Sequence, residues 1–131
     1  LEGGANGKLV FDGSFASLGL LKKPIILEIE NGLVSGIQGF MSEELSKTLE
    51  KYKNAKNVAE IGIGTNPRAK LIGNVLEDEK VYGTVHIAFG DSHTFGGAVR
   101  ADIHLDGIIT EPNVWLDDEK IIEEGEFLCF R

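Results

Sequence analysis

The chain has 131 residues, with 13 basic residues, 21 acidic residues and a formal net charge of −8 at pH 7. This length fits a single domain, residues 1–131, that buries its own core. The acidic balance argues against nucleic acid as a partner, because a surface that binds phosphates needs clustered lysine and arginine. No apolar run approaches the roughly 20 residues that cross a bilayer, so we also expect no membrane partner and a cytoplasmic protein.

The ends and the composition add three expectations. The sequence begins at Leu1, not at Met, within a glycine-rich segment, so we expect a piece of a longer protein. The single cysteine, Cys129, has no partner for an internal disulfide and is expected to be a packed or frayed thiol, not a nucleophile. Seventeen glycines indicate many turns and close backbone approaches, which favours a β-rich fold.

The clearest local signal in the first half is Asn31-Gly32 between two apolar runs. Both central residues of a type I′ turn need positive φ, which Asn and Gly adopt readily, so residues 24–38 are predicted to form a β-hairpin. The preceding segments are predicted to be a loop and then two strands around an Asp12-Gly13 turn: residues 1–7, 8–11 and 15–21.

Two short helices are predicted. Ser42 supplies a capping hydroxyl for the first, acidic residues follow where the helix dipole favours them, and Leu45 and Leu49 lie on one apolar stripe. Residues 67–72 are predicted to form the second helix, with Asn66 as its cap and a proline at its first position. The acidic run that follows is interpreted as a solvated turn that could also brace a nearby site.

Strands dominate the rest of the chain. Further strands are predicted over residues 58–64, over residues 81–89 and around His104, and a second hairpin is predicted about Asp117-Asp118. The arms of that hairpin and the closing strand are residues 113–116, 120–123 and 125–127. Together these elements predict an α+β fold with mostly antiparallel strands and two short helices.

All three histidines, His86, His93 and His104, lie in the second half of the chain. His104 precedes Asp106 by two residues, and the strand period of two puts both side chains on one face. His86 lies in an apolar run where Ala88 points the same way with little bulk, which leaves room for an ion. Imidazole and carboxylate ligands suit Zn, Co, Mn or Fe. The alternative for each histidine is an ordinary hydrogen-bonded structural role.

Glu60 is the one charged residue in the apolar run over residues 58–64. A glutamate in such a strand must be paired, protonated or bound to something positive. Metal ligation and an ion pair with a nearby lysine or arginine are both open for it. The loop over residues 90–97 has the small residues of a segment that passes close to a ligand, and a plain connecting loop is the alternative.

Four motifs occur in a recognisable order: Ala59-Glu60-Ile61-Gly62, Leu76-Glu77-Asp78-Glu79-Lys80, His86-Ile87-Ala88-Phe89-Gly90 and His104-Leu105-Asp106. With them, residues 4–127 resemble the C-terminal half of the thermophilic aminopeptidase family. This is the group of aminopeptidase T and aminopeptidase S, which are exopeptidases with two divalent metals. The resemblance implies four metal ligands in this chain, namely Glu60, His86, His104 and Asp106.

The chain departs from that family at two points. The family's first ligand, a glutamate in a Gly-Glu-Val segment, would lie before Leu1. The family's catalytic tyrosine, seven residues after the isolated histidine, is replaced here by His93. An imidazole can donate a hydrogen bond or act as an acid near neutral pH, whereas a phenol would mainly donate. A plain loop histidine is the alternative for His93.

On this resemblance we expect a metallo-aminopeptidase that removes N-terminal residues from peptides and forms a homodimer. Two divalent ions, Zn, Co, Mn or Mg, would be bridged by a carboxylate and a water and would polarise the scissile carbonyl. The expected catalytic residues are Glu60 and His93. Residues 1–131 alone are expected to be inactive, because the first glutamate is missing from them.

Two alternatives remain open at this point. Ring-cleaving dioxygenases that act on dihydroxypyridines resemble the same family and hold a mononuclear Fe(II) with two histidines and an aspartate, roles that His86, His104 and Asp106 would take. Glu60 favours the dinuclear hydrolase, because a mononuclear iron does not need it. The third possibility is a catalytically inactive domain that binds a metal or a partner.

Overall fold

The computed structural model describes residues 1–128, so Cys129 lies outside the described residues. Within them the chain forms eleven strands, two α-helices and one 3-10 turn. The strands are β1 (Gly7–Phe11), β2 (Ser14–Phe15), β3 (Gly19–Leu20), β4 (Ile25–Glu30), β5 (Leu33–Gly39), β6 (Val58–Ile63), β7 (Val85–Gly90), β8 (His104–Ile109), β9 (Val114–Leu116), β10 (Glu119–Glu123) and β11 (Glu126–Phe127). The helices are α1 (Ser42–Lys51) and α2 (Val75–Asp78), and the 3-10 turn is His93–Phe95.

The strands within residues 1–128 form three antiparallel sheets. The largest has five strands in the order β3-β2-β8-β7-β6, and two smaller sheets have the orders β1-β4-β5 and β11-β10-β9. Each neighbouring pair is antiparallel. The predicted α+β fold, with mostly antiparallel strands and two short helices, is therefore confirmed.

Three fully buried phenylalanines lie at the centre of the core: Phe11 on β1, Phe15 on β2 and Phe89 on β7. Their ring centroids are 5.2 to 6.2 Å apart, with two edge-to-face contacts and one stacked pair. Helix α1 adds its buried leucines, Leu45 and Leu49, to the same core. This packing joins the small sheet that contains β1 to the large sheet and fixes the position of β7.

Both predicted hairpins form. Asn31 and Gly32 connect β4 to β5 with φ values of 50° and 77°, the left-handed backbone that the type I′ turn requires. The second hairpin joins β9 to β10, and Asp117 at its turn has a φ of 52°. The strand predicted at residues 8–11 is β1, but it pairs with β4 and belongs to a different sheet from β2.

The predicted cap of the first helix is wrong. Met41 occupies the N-cap position in a left-handed conformation, with a φ of 54°, and makes no side-chain cap hydrogen bond. Ser42 is instead the first helical residue, because the chain leaves β5 through the positive φ of Gly39 and turns into the helix at Met41. The apolar stripe of this helix is buried as predicted.

The second helix is not at the predicted position. Residues 67–68 form a turn, at which the Asn66 side chain accepts a hydrogen bond from the Arg68 amide at 2.9 Å, and residues 69–72 are irregular. The amides of Ile72 and Gly73 bond to the buried carboxylate of Asp78 at 2.7 and 3.0 Å, so they are not available for a helix. The acidic run predicted as a turn forms α2 instead.

Two smaller boundaries also differ from the prediction. Asn74 caps α2 by accepting a hydrogen bond from the Leu76 amide at 3.2 Å. The strand predicted from residue 81 begins only at Val85, because the Thr84 hydroxyl donates to the Val81 carbonyl at 2.8 Å and closes a turn there. Glu79, the residue that follows α2, lies near His86 on β7.

Candidate metal centre

The large sheet brings the four predicted metal ligands together on one face. Glu60 on β6, Ala88 on β7 and Asp106 on β8 are direct cross-strand neighbours. His86 lies two residues before Ala88, and His104 lies two residues before Asp106, so the strand period of two puts their side chains on the face of this row. The predicted grouping therefore follows from the register of three adjacent strands.

The donor atoms of these side chains lie close to one another. The Glu60 carboxylate lies between the two imidazoles, with one oxygen 3.5 Å from His86 Nε2 and the other 3.2 Å from His104 Nε2. His104 Nε2 is 3.8 Å from Asp106 Oδ1. Glu60, His104 and Asp106 each offer a donor atom within 4.8 Å of the others, the geometry of a potential metal site.

Small residues on the same face make room for this cluster. Gly62 lies directly across from His86, and a Cβ at Gly62 would overlap the imidazole at Cε1 and Nε2. Ala88 separates Glu60 from Asp106 with only a methyl group. The β6–β7 ladder also has an irregularity just before Glu60, and a bulge of this kind re-aims a side chain.

A hydrogen bond to the backbone orients the His104 ring. Its Nδ1 lies 2.9 Å from the carbonyl oxygen of Asp91, which can only accept, so Nδ1 carries the proton and donates. In the neutral imidazole this tautomer leaves the lone pair on Nε2, the nitrogen that points at Glu60 and Asp106. A backbone carbonyl that fixes the tautomer in this way is the usual support of a metal-binding histidine.

Glu79, the residue after α2, belongs to the cluster, and the sequence analysis did not identify it as a potential ligand. It forms a second group with His86 and Asp106, whose donor atoms also lie within 4.8 Å of one another. Its carboxylate is 2.6 Å from Lys80 Nζ as well. The available signal was the acidic run just before the His86 strand, but the α2 helix that presents Glu79 was not predicted.

The electrostatics of the cluster suit a cation. Burial raises the pKa of Asp106 above its ordinary value, with His104 acting in the opposite direction and Glu79 adding to the rise. His86 Nδ1 is buried and has no hydrogen-bond partner within residues 1–128. Two adjoining donor groups that share Asp106 offer three carboxylates and two imidazoles in all, and His86 has an unpartnered buried nitrogen; these donor types fit a divalent metal.

His93 lies outside both donor groups. It begins the 3-10 turn, is exposed to solvent, and its Nε2 accepts a hydrogen bond from Arg100 Nη2 at 2.8 Å. It lines a separate cleft of about 340 Å³ together with Lys53, Asp91 and Arg100. The catalytic role of His93 stays a prediction, and this structure does not bring the side chain to the metal ligands.

Comparisons with known proteins decide the family. The family model for NicX, 2,5-dihydroxypyridine 5,6-dioxygenase, matches residues 1–129. The chain belongs to this family. It is 29% identical over 143 aligned residues to the 2,5-dihydroxypyridine 5,6-dioxygenase of Pseudomonas putida (strain KT2440), covering 98% of this chain and 41% of that protein.

A solved structure supports the same family. The structure of a 2,5-dihydroxypyridine dioxygenase from Pseudomonas putida KT2440 superposes with a TM-score of 0.85 at 27% identity, covering 97% of this chain and 41% of that one. The chain therefore spans about two fifths of the length of these NicX relatives. The relatives support a divalent metal for the donor cluster, and its identity is taken up in the proposal below.

The expected aminopeptidase family was wrong, and with it the hydrolase activity and the peptide substrate. The matched relatives are dioxygenases that act on a small molecule. The physical reason is that the motifs that carried the resemblance supply one donor cluster, from three adjacent strands and the end of α2. Such a set holds a dication, but the same residue types serve hydrolysis and oxygen chemistry alike.

Five other expectations do not depend on the reaction class. Within residues 1–128, no helix has the length and apolarity that a membrane crossing needs. The cytoplasmic location, the homodimer and the single-domain assignment of residues 1–131 stay predictions. The expected absence of a nucleic-acid partner likewise rests on the net charge of −8.

Proposed function

We propose that this chain carries the iron-binding part of a ring-cleaving dioxygenase whose substrate is a dihydroxylated pyridine. The observation that supports this most directly is the placement of His86, His104 and Asp106 on one face of β7 and β8, where each histidine shares a donor group with Asp106. Two histidines and one carboxylate are the donor set typical of non-haem Fe(II) oxygenases. The matched NicX relatives act on 2,5-dihydroxypyridine.

His86, His104 and Asp106 would hold the iron, with Glu60 beside them. Non-haem Fe(II), when bound, supplies the one-electron chemistry that allows molecular oxygen to react with an aromatic ring. The Asp91 carbonyl keeps the His104 proton on Nδ1, so Nε2 is free to act as a ligand. Asp106 contributes the negative charge that offsets the dication in a partly buried site.

Glu60 is proposed as the proton acceptor for a hydroxyl group of the substrate. Its carboxylate lies 3.2 and 3.5 Å from the two imidazoles, so it reaches the centre of the cluster from β6. A hydroxylated ring becomes more electron-rich when it loses a proton, and a carboxylate within hydrogen-bond reach is a suitable base. In this role Glu60 acts on the substrate from beside the iron and does not bind the metal itself.

The test compares metals in the full-length polypeptide that contains this chain. The protein is loaded anaerobically with Fe(II), Zn(II) or Co(II), and oxygen uptake is followed after 2,5-dihydroxypyridine is added. We expect oxygen uptake with Fe(II) but not with Zn(II) or Co(II), and we expect the Asp106→Asn protein to lose this uptake. Asp118→Asn, in the exposed turn between β9 and β10, is the matched control and should keep the wild-type rate. Equal uptake in the Asp106→Asn protein would contradict the proposal.

A further inference from the structure

Phe95 is an exposed aromatic side chain in direct contact with a proposed iron ligand. Its ring stacks on the His104 imidazole with centroids 5.3 Å apart and an interplanar angle of 30°. The side chain nevertheless leaves 61% of its surface exposed. A phenylalanine that is packed on one side and open on the other offers an apolar face to a ligand.

The loop that carries Phe95 is held in place by a carboxylate from outside it. Glu2 accepts hydrogen bonds from the amides of Ala98 and Val99 at 3.0 and 3.1 Å, and from the Ser92 hydroxyl. These bonds lower the pKa of Glu2, the Ser92 hydroxyl most strongly, so the carboxylate stays ionised and keeps its donors. Phe95 is thus positioned by hydrogen bonds on both sides of its turn and not by burial of its own ring.

Asp91 braces the other end of the same loop. Its carboxylate accepts from the Ala101 amide at 3.1 Å, while its carbonyl accepts from His104 Nδ1 at 2.9 Å. The segment that presents Phe95 is therefore bonded directly to the ring on which Phe95 stacks. Because these hydrogen bonds already hold the loop, little conformational entropy is lost when a ligand packs on Phe95. Such preorganisation favours binding.

Phe95 also lines a cavity of about 280 Å³ whose other walls include Glu2, Ala59, Ser92 and Gly97. The walls of this cavity include none of the proposed ligands, and Phe95 links it to the donor cluster because the same ring stacks on His104. Its volume is slightly below the roughly 300 to 1,000 Å³ of pockets for drug-sized ligands. A single six-membered ring with small substituents suits this space.

Two other exposed aromatic residues within residues 1–128 contact groups away from the cluster. Tyr82 packs on Phe127 with centroids 4.9 Å apart, and Trp115 lies under the Lys120 ammonium at 5.1 Å. Neither side chain lines the cavity beside the ligands. Phe95 combines an exposed ring, a cavity and a contact with a proposed iron ligand.

We infer that Phe95 is a specificity-determining residue on which the flat ring of a monocyclic hydroxylated aromatic substrate packs. This inference rests on the proposed function and names the side chain that favours a planar ring in the site. Phe95 acts by contact with the substrate and does not hold the metal. Its removal should therefore weaken ring binding while the iron content stays the same.

The test measures binding of 2,5-dihydroxypyridine to the Fe(II)-loaded full-length polypeptide without oxygen, by spectroscopic titration. We expect Phe95→Ala to raise the Kd about tenfold, which corresponds to about 1.4 kcal/mol, because alanine offers the substrate neither an aromatic face nor the apolar area of the ring. Phe95→Tyr, which keeps the ring, should stay within about twofold of wild type. Phe95→Leu keeps apolar bulk without a ring and should lie between Phe95→Ala and wild type. Trp115→Ala is the matched aromatic control and should bind as wild type does.

The outcomes separate the inference from the proposed function. An unchanged Kd in Phe95→Ala, with wild-type iron content, would overturn the role of Phe95 while leaving the dioxygenase intact. A Kd in Phe95→Leu equal to that of wild type would overturn it as well, because bulk alone would then suffice. Wild-type protein that holds iron but neither binds the ring nor consumes oxygen would contradict the proposed function itself.

Discussion

His104 donates a hydrogen bond from Nδ1 to the carbonyl oxygen of Asp91 at 2.9 Å, and this bond joins the loop after β7 to the first residue of β8. It fixes the imidazole so that Nε2 faces Glu60 and Asp106 at 3.2 and 3.8 Å. Backbone support of this kind is tolerant of side-chain changes in the loop, because the acceptor belongs to the main chain. The orientation of His104 toward the proposed metal site is thus a property of the fold.

Replacing His104 by alanine should lower the metal content at least tenfold. The reason is the loss of a direct ligand, which costs no less than the roughly 10- to 100-fold of an outer-shell change. Elemental analysis of protein prepared without chelator measures it. His93→Ala is the matched control and should keep its metal, because His93 lies outside both donor groups and bonds to Arg100. Equal metal in the His104→Ala and wild-type proteins would remove His104 from the site.

Gly62→Ala should weaken metal binding about tenfold without removing any donor atom. A Cβ at Gly62 would overlap the His86 imidazole, so the ring must turn away from the cluster. Calorimetric titration with Fe(II) or Co(II) gives the affinity. Gly4→Ala is the control, since nothing lies within 4 Å of a Cβ at that position. Metal affinity in Gly62→Ala equal to that in Gly4→Ala would show that the His86 position does not matter.

Asp106→Asn should stabilise the metal-free protein at neutral pH while abolishing tight metal binding. Burial raises the pKa of Asp106 in the folded state, so the folded protein binds more protons than the unfolded chain between the two pKa values. The favourable contribution of the protonated carboxyl is full below the unfolded pKa of about 3.9 and is lost as pH rises through the folded pKa. At pH 7 the ionised, partly buried carboxylate is therefore a cost that asparagine avoids.

Urea unfolding in the presence of chelator measures this difference. The midpoint of Asp106→Asn should exceed that of wild type at pH 7, and the two should converge as the pH approaches the unfolded pKa of about 3.9. A lower midpoint for the variant at pH 7 would mean that the favourable interaction of the carboxylate with His104 outweighs the cost of its burial.

Asp78→Asn should have the opposite effect on stability. The fully buried Asp78 carboxylate accepts hydrogen bonds from the Ser14 hydroxyl at 2.6 Å and from the amides of Ile72 and Gly73 at 2.7 and 3.0 Å. An amide side chain presents an NH₂ group to at least one of these donors, which leaves a buried group unsatisfied at a cost of about 1 to 3 kcal/mol. Thermal and urea unfolding at pH 7 test it, and a free energy of unfolding equal to that of wild type would show that the carboxylate is not needed there.

The sequence was sufficient where structure is local or periodic. Asn31-Gly32 specifies its turn by backbone preference alone, and the hairpin forms as predicted. The spacing of His104 and Asp106 on one strand puts them on a common face, and the small Ala88 beside them leaves the predicted space. These inferences needed no knowledge of distant contacts.

The rest depends on contacts between distant segments and on chemistry that residue types share. Helix α2, and with it Glu79, was mispredicted because its position depends on contacts of the Asp78 carboxylate. That carboxylate accepts hydrogen bonds from the amides of Ile72 and Gly73 and from the Ser14 hydroxyl on β2. The reaction class was mispredicted because histidines and carboxylates in one order serve both hydrolases and oxygenases. Comparison with NicX relatives was required to distinguish them.

Isotopic labelling tests the central claim most directly. The full-length polypeptide is loaded with Fe(II), mixed with 2,5-dihydroxypyridine under ¹⁸O₂ in unlabelled water, and the product is examined by mass spectrometry. A ring-cleaving dioxygenase built on His86, His104 and Asp106 should give a ring-opened product that carries both labelled oxygen atoms, and His104→Ala should give none. An intact ring after incubation of the iron-loaded protein, or a product whose new oxygen comes from water alone, would contradict the account.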